Sequence, residues 1–114
     1  MSNKLIQDYD FGSIRINNKE YDNDIILLND RIIPDWWREE GHYLHKSDLE
    51  KVLSFEPELL IIGKGFYGRM TVPKNLEKEF DFKIISAKTK KATKIYNKKI
   101  KSDKKIAGAF HLTC

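Results

Sequence analysis

Between residues 59 and 112, three short apolar runs alternate with two helix-forming stretches, and this alternation constrains the fold more than any other feature. Leu59 to Ile62 is continuously apolar, as a strand buried on both faces would be. Pro73 to Phe80 reads as a helix with proline in its first turn, and Phe82 to Ser86 as a strand. Thr89 to about Lys101 reads as a helix, and Lys105 to Leu112 as a strand. The two connections, 63–81 and 87–104, hold 19 and 18 residues, enough for a helical return. The three strands are therefore expected to run parallel, joined by right-handed crossovers. Their carboxyl ends then share one edge, where open parallel sheets bind ligands.

The first half is patterned differently. Phe11 to Ile16 alternates, with Ile14 and Ile16 on one face and Arg15 on the other. Asn17-Asn18 suits a tight turn, so residues 20 to 28 are expected to return as the second strand of a hairpin. A short strand follows at Arg31 to Ile33, halted by Pro34, and 35–42 reads as a loop. Ser47 and Glu50 form a capping box that opens a helix, Leu49, Val52 and Leu53 give its apolar stripe, and Pro57 stops it. Residues 1–9 are expected to form a loosely ordered N-terminus. The predicted class is α/β: one domain over 1–114, with an N-terminal β-hairpin region and a β-α-β-α-β half carrying a mainly parallel sheet.

A length of 114 residues fits one domain, and 40% hydrophobic with 33% charged residues is the balance of a soluble globular protein. No apolar run approaches the roughly 20 residues of a membrane span. The first residues lack the apolar region of a secretory signal and the composition of a mitochondrial one. The single cysteine, Cys114, cannot form an internal disulfide, which suits a reducing cytoplasm. The net charge of +4 conceals an asymmetry: residues 88–105 hold nine lysines against Asp103, so this segment is +8 and the remainder −4.

Several motifs carry candidate chemistry. Gly63-Lys64-Gly65-Phe66-Tyr67-Gly68 has dinucleotide-fingerprint spacing, but that chemistry needs a helix opening at once and an acidic residue after the next strand. Here the helix is delayed to Pro73 and the acidic slot reads Ser86-Ala87-Lys88, so a glycine-rich turn is the simpler reading. Lys88, Lys90 and Lys91 crowd a helix N-terminus without an acid, and a small anion met by the Thr89 hydroxyl would relieve that repulsion. Lys90, Lys94, Lys98 and Lys101 line the outer face; without interleaved aromatics they argue against nucleic acid. His42, His45, His111 and Cys114 have the composition of a zinc site, yet residues three apart on a strand diverge, and no metal is assigned. Cys114 as a nucleophile would sit on a chain end beside a carboxylate, a poor setting for a thiolate. Trp36-Trp37-Arg38 offers core packing or a partner-contact wall.

Taken in order, these residues resemble a known family. The set is Phe11-Gly12-x-Ile14, Trp37-Arg38 with Gly41-His42, Pro57-Glu58-Leu59 running into Ile62-Gly63-x-Gly65, Thr89-x-x-Ala92-x-x-x-Tyr96-Asn97, and His111-Leu112-Thr113-Cys114. It is similar to the Mth-938-like domain, domain-of-unknown-function family 498, over roughly residues 10–114. That family includes an adipogenesis-associated animal protein and the third mitochondrial complex I assembly factor. The resemblance implies a three-layer α/β fold and, by analogy with the assembly factor, a protein-binding role.

The combined expectation is a cytoplasmic, non-enzymatic protein-binding or assembly-factor-like module, with no catalytic residue and no cofactor. A candidate ligand pocket at the carboxyl edge comprises Gly63, Gly65, Lys88, Thr89, His111 and Cys114. A candidate partner surface comprises Trp36, Trp37, Arg38, Lys94 and Lys98. The partner is expected to be a protein, with a small anion as the alternative ligand, without nucleic acid or membrane, on a monomer or homodimer. The alternative function is a small enzyme or ligand-binding protein acting on an anionic metabolite at that edge.

Overall fold

The computed structural model describes residues 5–29, 31–102 and 104–113. Strands β1 (Ile6–Asp10), β2 (Ser13–Ile16) and β3 (Lys19–Tyr21) form an antiparallel sheet in that order. Strands β4 (Ile25–Leu28), β5 (Arg31–Ile33), β6 (Leu59–Lys64), β7 (Lys83–Ala87) and β8 (Ile106–His111) form a second sheet, ordered β5-β4-β8-β6-β7. Helices α1 (Glu50–Phe55), α2 (Lys74–Glu79) and α3 (Thr89–Lys99) complete the domain.

β6 pairs in parallel with both β7 and β8, with Leu59 opposite Lys83 on one side and Ile106 on the other. The three final strands thus run in one direction, as the connection lengths required. β4, however, lies antiparallel on the other side of β8, with Ile25 opposite Phe110, and β5 is antiparallel to β4. The sheet is therefore mixed rather than mainly parallel. β8 is the central strand, which explains why Ile106 to His111 are buried throughout.

The two faces of this sheet fill two separate cores. Ile25 and Leu27, Leu59 and Ile61, and Ile106 and Phe110 face the small sheet and α3, meeting Ile6, Tyr9, Ile14, Ile16, Ala92 and Tyr96. Ile26 and Leu28, Leu60 and Ile62, and Ala107 and Ala109 face Trp36, Leu44, Leu49, Val52 and Leu76. The continuous apolar runs follow from this three-layer plan, since neither face touches water.

Three expectations are corrected. The return strand proposed for 20–28 is two strands: β3 ends at Tyr21, and Ile25–Leu28, buried on both faces, takes an inner place in the other sheet. Residues 6–9, expected to be loose, belong to β1; residues 1–4 lie outside the described residues. A register shift between Ile6 and Asp8 brings Ile6 and Tyr9 both into the core, and this three-residue spacing hides the strand from a period-two pattern. Finally, Ser47 and Glu50 do not form the capping box. A 3₁₀ turn, Lys46–Leu49, precedes α1, and the Asp48 carboxylate accepts the His45 N–H at 2.8 Å while Ser47 Oγ donates to Glu39.

Candidate functional site

Because β6, β7 and β8 are parallel, the Gly63–Gly68 turn, the start of α3 and the residues after His111 leave the sheet on the same edge. Thr89 ties them together. Its backbone N–H donates to Gly65 O at 3.1 Å, its hydroxyl accepts the Gly65 N–H at 2.8 Å, and the same hydroxyl donates to His111 O at 2.6 Å. Thr89 is fully buried, so the hydroxyl expected to meet an anion is engaged by the chain itself. A Cβ on Gly63 would lie 2.7 Å from Thr89 Oγ1 and 3.1 Å from the Phe110 ring, so the close approach that glycine permits here is made by these two side chains. Gly65 has φ of +103°, which strains any residue with a side chain. Lys88 is exposed and lays its aliphatic stem against Gly68. Cys114 lies outside the described residues.

Replacing Thr89 with valine keeps the volume but leaves the buried Gly65 N–H without an acceptor. The expected loss is about 1–3 kcal/mol of unfolding free energy, measured by urea denaturation. A wild-type midpoint would show that this junction contributes no stability.

The edge holds a second cluster. Asp24 immediately precedes β4, and the antiparallel pairing of β4 with β8 sets it beside His111. Asp24 Oδ2 lies 2.5 Å from Arg38 Nη1 and 2.7 Å from His111 Nδ1, and Oδ1 accepts the Leu112 N–H at 2.7 Å. Burial pushes the Asp24 carboxyl up, but the hydrogen bonds from His111, Leu112 and Arg38 outweigh it and hold the group below its ordinary value. An ionised carboxylate only accepts, so His111 Nδ1 carries the proton. The 2.9 Å approach of Arg38 Nη2 to that nitrogen is then packing rather than a second hydrogen bond. The Arg38 and His111 side chains are only 5% and 7% exposed. Arg38 Nε and His111 Nε2 have no hydrogen-bond partner among the described residues.

Arg38 arrives on the loop after β5. Trp36 N–H donates to Asp24 O at 2.8 Å, and its indole N–H donates to Asp48 O at 2.8 Å. The Arg38 guanidinium rests on the Trp36 ring, 4.8 Å from its centroid. Trp36 and Arg38, expected on the partner surface, are therefore internal; Trp37 between them is 75% exposed. Lys94 and Lys98 are exposed on α3. The cluster unites a residue expected in the pocket, His111, with one expected on the surface, Arg38. Asp24 itself carries no signal in the sequence, since nothing in its neighbourhood distinguishes it from Asp22 or Asp35. His45 Nε2 instead meets Glu40 at 2.6 Å, and that pairing raises its pKa. His42 packs edge-on to His111, ring centroids 6.3 Å apart. Among the described residues no three His, Cys, Asp or Glu side chains converge to hold a metal.

These contacts anchor loops that carry exposed aromatics. Gly12 N–H donates to Leu112 O at 2.9 Å, Phe66 N–H to Thr113 O at 2.8 Å, and Thr71 N–H to His42 O at 2.8 Å. Tyr9 O–H donates to Leu112 O at 2.8 Å, and burial pushes its pKa up to about 12. On the outside, Phe11 meets Phe66 at 5.6 Å and Tyr67 at 6.3 Å, with Phe66 and Tyr67 5.1 Å apart, centroid to centroid. Arg69 caps Tyr67 at 5.3 Å.

The description "Protein of unknown function (DUF498/DUF598)" covers residues 6–111 of this chain as a family match. The chain belongs to this family. A conserved hypothetical protein of Pyrococcus horikoshii, PH1505, is 30% identical, with a TM-score of 0.78 over 96% of this chain and 98% of that one. The fold is also that of a Bordetella pertussis protein described as a Mth938-like domain, at 12% identity and TM-score 0.60 over 96% of this chain and 86% of that one. A Bartonella henselae protein described as an outer membrane protein has the same fold, at 21% identity and TM-score 0.78 over 97% and 96% of the two chains. No curated protein matches the chain. In this DUF498/DUF598 member, no helix among the described residues is long and apolar enough to cross a membrane.

Proposed function

We propose that this domain is an assembly-factor-like binding module that docks a protein partner on the carboxyl edge of its larger sheet. One observation carries the reading. Phe11, Trp37, Tyr43, Phe66 and Tyr67 are the exposed large hydrophobic residues among those described, and the strand pairings and loop hydrogen bonds set all five on loops at that edge. Phe11, Phe66 and Tyr67 cluster there with Arg69 over Tyr67, and clustered exposed aromatics with an adjacent arginine are the composition of interaction hot spots. The loops are hydrogen-bonded to one another and to the end of β8, so little ordering entropy is lost on docking. Family resemblance to an assembly factor supports the same type of activity, and the lysine stripe of α3 is assigned no role in this docking.

The test begins with native capture, followed by calorimetry of the purified partner against three proteins. Phe11→Ser/Tyr67→Ser is expected to weaken binding at least about 100-fold while retaining the wild-type melting temperature. Lys94→Glu/Lys98→Glu is expected to bind as wild type. The reading fails if the lysine variant loses the partner and the aromatic variant keeps it.

A further inference from the structure

We infer that a cleft at the opposite, amino edge of the larger sheet binds an organic cation, a primary amine or guanidinium on an apolar body. β6 and β7 are parallel neighbours, so Pro57-Glu58 and Phe80-Asp81-Phe82 enter the sheet side by side. Together with the end of α1 they border an open cleft of about 660 Å³, within the size range of small-molecule sites. The wall is aromatic: Phe80 and Phe82 stack at 5.0 Å with an interplanar angle of 18°, and both are only partly buried. The rim is acidic, with Glu56, Glu58, Glu79 and Asp81 against the single cation Lys46. Glu56, Glu79 and Asp81 have no side-chain hydrogen bond or ion pair among the described residues.

This local charge is opposite to that of the whole chain, which is +4. Carboxylates around an apolar wall concentrate cations there. The molecule already uses the matching chemistry at this end: Lys46 Nζ lies 5.9 Å from the Phe80 centroid, and Lys105 Nζ 4.5 Å from that of Phe55. Among the described residues no three acidic groups converge as metal ligands, and an aromatic wall favours a cation with an alkyl or planar body over a hydrated metal ion. The site is independent of the carboxyl-edge docking surface.

The experiment is a titration of the ¹⁵N-labelled full chain with spermidine, with agmatine and with magnesium chloride, at physiological ionic strength, read by amide chemical shifts. Spermidine or agmatine is expected to give saturable shifts centred on residues 56–58 and 79–82, with a dissociation constant of about 1 mM or below. Glu79→Gln/Asp81→Asn is expected to weaken binding about tenfold, and Phe80→Leu about fivefold, with the remaining spectrum unchanged. Shifts that magnesium reproduces, that spread over every acidic surface without saturating, or that fail to appear would overturn the assignment.

Discussion

Replacing Asp24 with alanine is expected to cost about 3–5 kcal/mol of unfolding free energy at neutral pH. The carboxylate receives Arg38, His111 and the Leu112 N–H, and the Arg38 side chain is 5% exposed. Without Asp24, the guanidinium remains a buried cation with no countercharge. Asp24→Asn retains an acceptor for Leu112 but not the charge, so it should fall between alanine and wild type. The pH dependence has a definite sign. The folded pKa lies below the ordinary 3.8, so the ionised carboxylate stabilises the fold above that value. That stability is lost as pH falls through the lower folded pKa. Wild-type stability should therefore decline below about pH 4, and the Asp24 variants should decline less steeply. Urea denaturation across pH 2–7 measures both effects. A loss of under about 1 kcal/mol at pH 7 would mean that Arg38 is solvated rather than trapped.

Phe110→Ala is the second large effect, expected at about 3–5 kcal/mol. Phe110 is fully buried at the centre of the sheet and meets Tyr96 edge-on, with centroids 5.7 Å apart. Its ring occupies space that two glycines leave open: a Cβ on Gly108 would lie 2.5 Å from Cε2, and one on Gly63 would lie 3.1 Å from Cδ1. Gly108→Ala should therefore cost about 1–3 kcal/mol by overpacking against Phe110 and Tyr96. The two changes must couple. In Gly108→Ala/Phe110→Leu the smaller side chain yields space to the new methyl, so the double variant should lose less than the sum of the single losses. Strict additivity would show that the glycine and the ring do not share that space.

Much of the fold can be read from the chain because local patterns and tertiary demands agree there. Leu59–Ile62 is apolar on both faces because β6 is covered on both sides, and Ala92, Ile95, Tyr96 and Ile100 mark the inward face of α3. Where the two disagree, the pattern misleads. β1 carries a bulge, so its core residues are three apart. Ile25–Leu28 continues a hairpin in sequence but pairs with β8 from the far end of the chain. The candidate site divides the same way. His111 and Thr89 stand out as polar residues at element ends, whereas Asp24 is one of several acids in a polar stretch until β4 is set against β8. Trp36 and Trp37 are neighbours in sequence, yet one is buried under Arg38 and the other faces solvent.

Periodicity and connection length alone determined the α/β class, the shared direction of the last three strands and the edge at which their loops emerge, because these depend on chain reach and on which side chains must avoid water. Only the tertiary structure decided that Asp24, Arg38 and His111 form one buried cluster, that Thr89 turns its hydroxyl inward, and that Phe11 joins Phe66 and Tyr67 on the surface. Those outcomes depend on strand order and register. Hydrogen bonds between residues up to 103 positions apart in sequence set them, and no local pattern encodes such pairings.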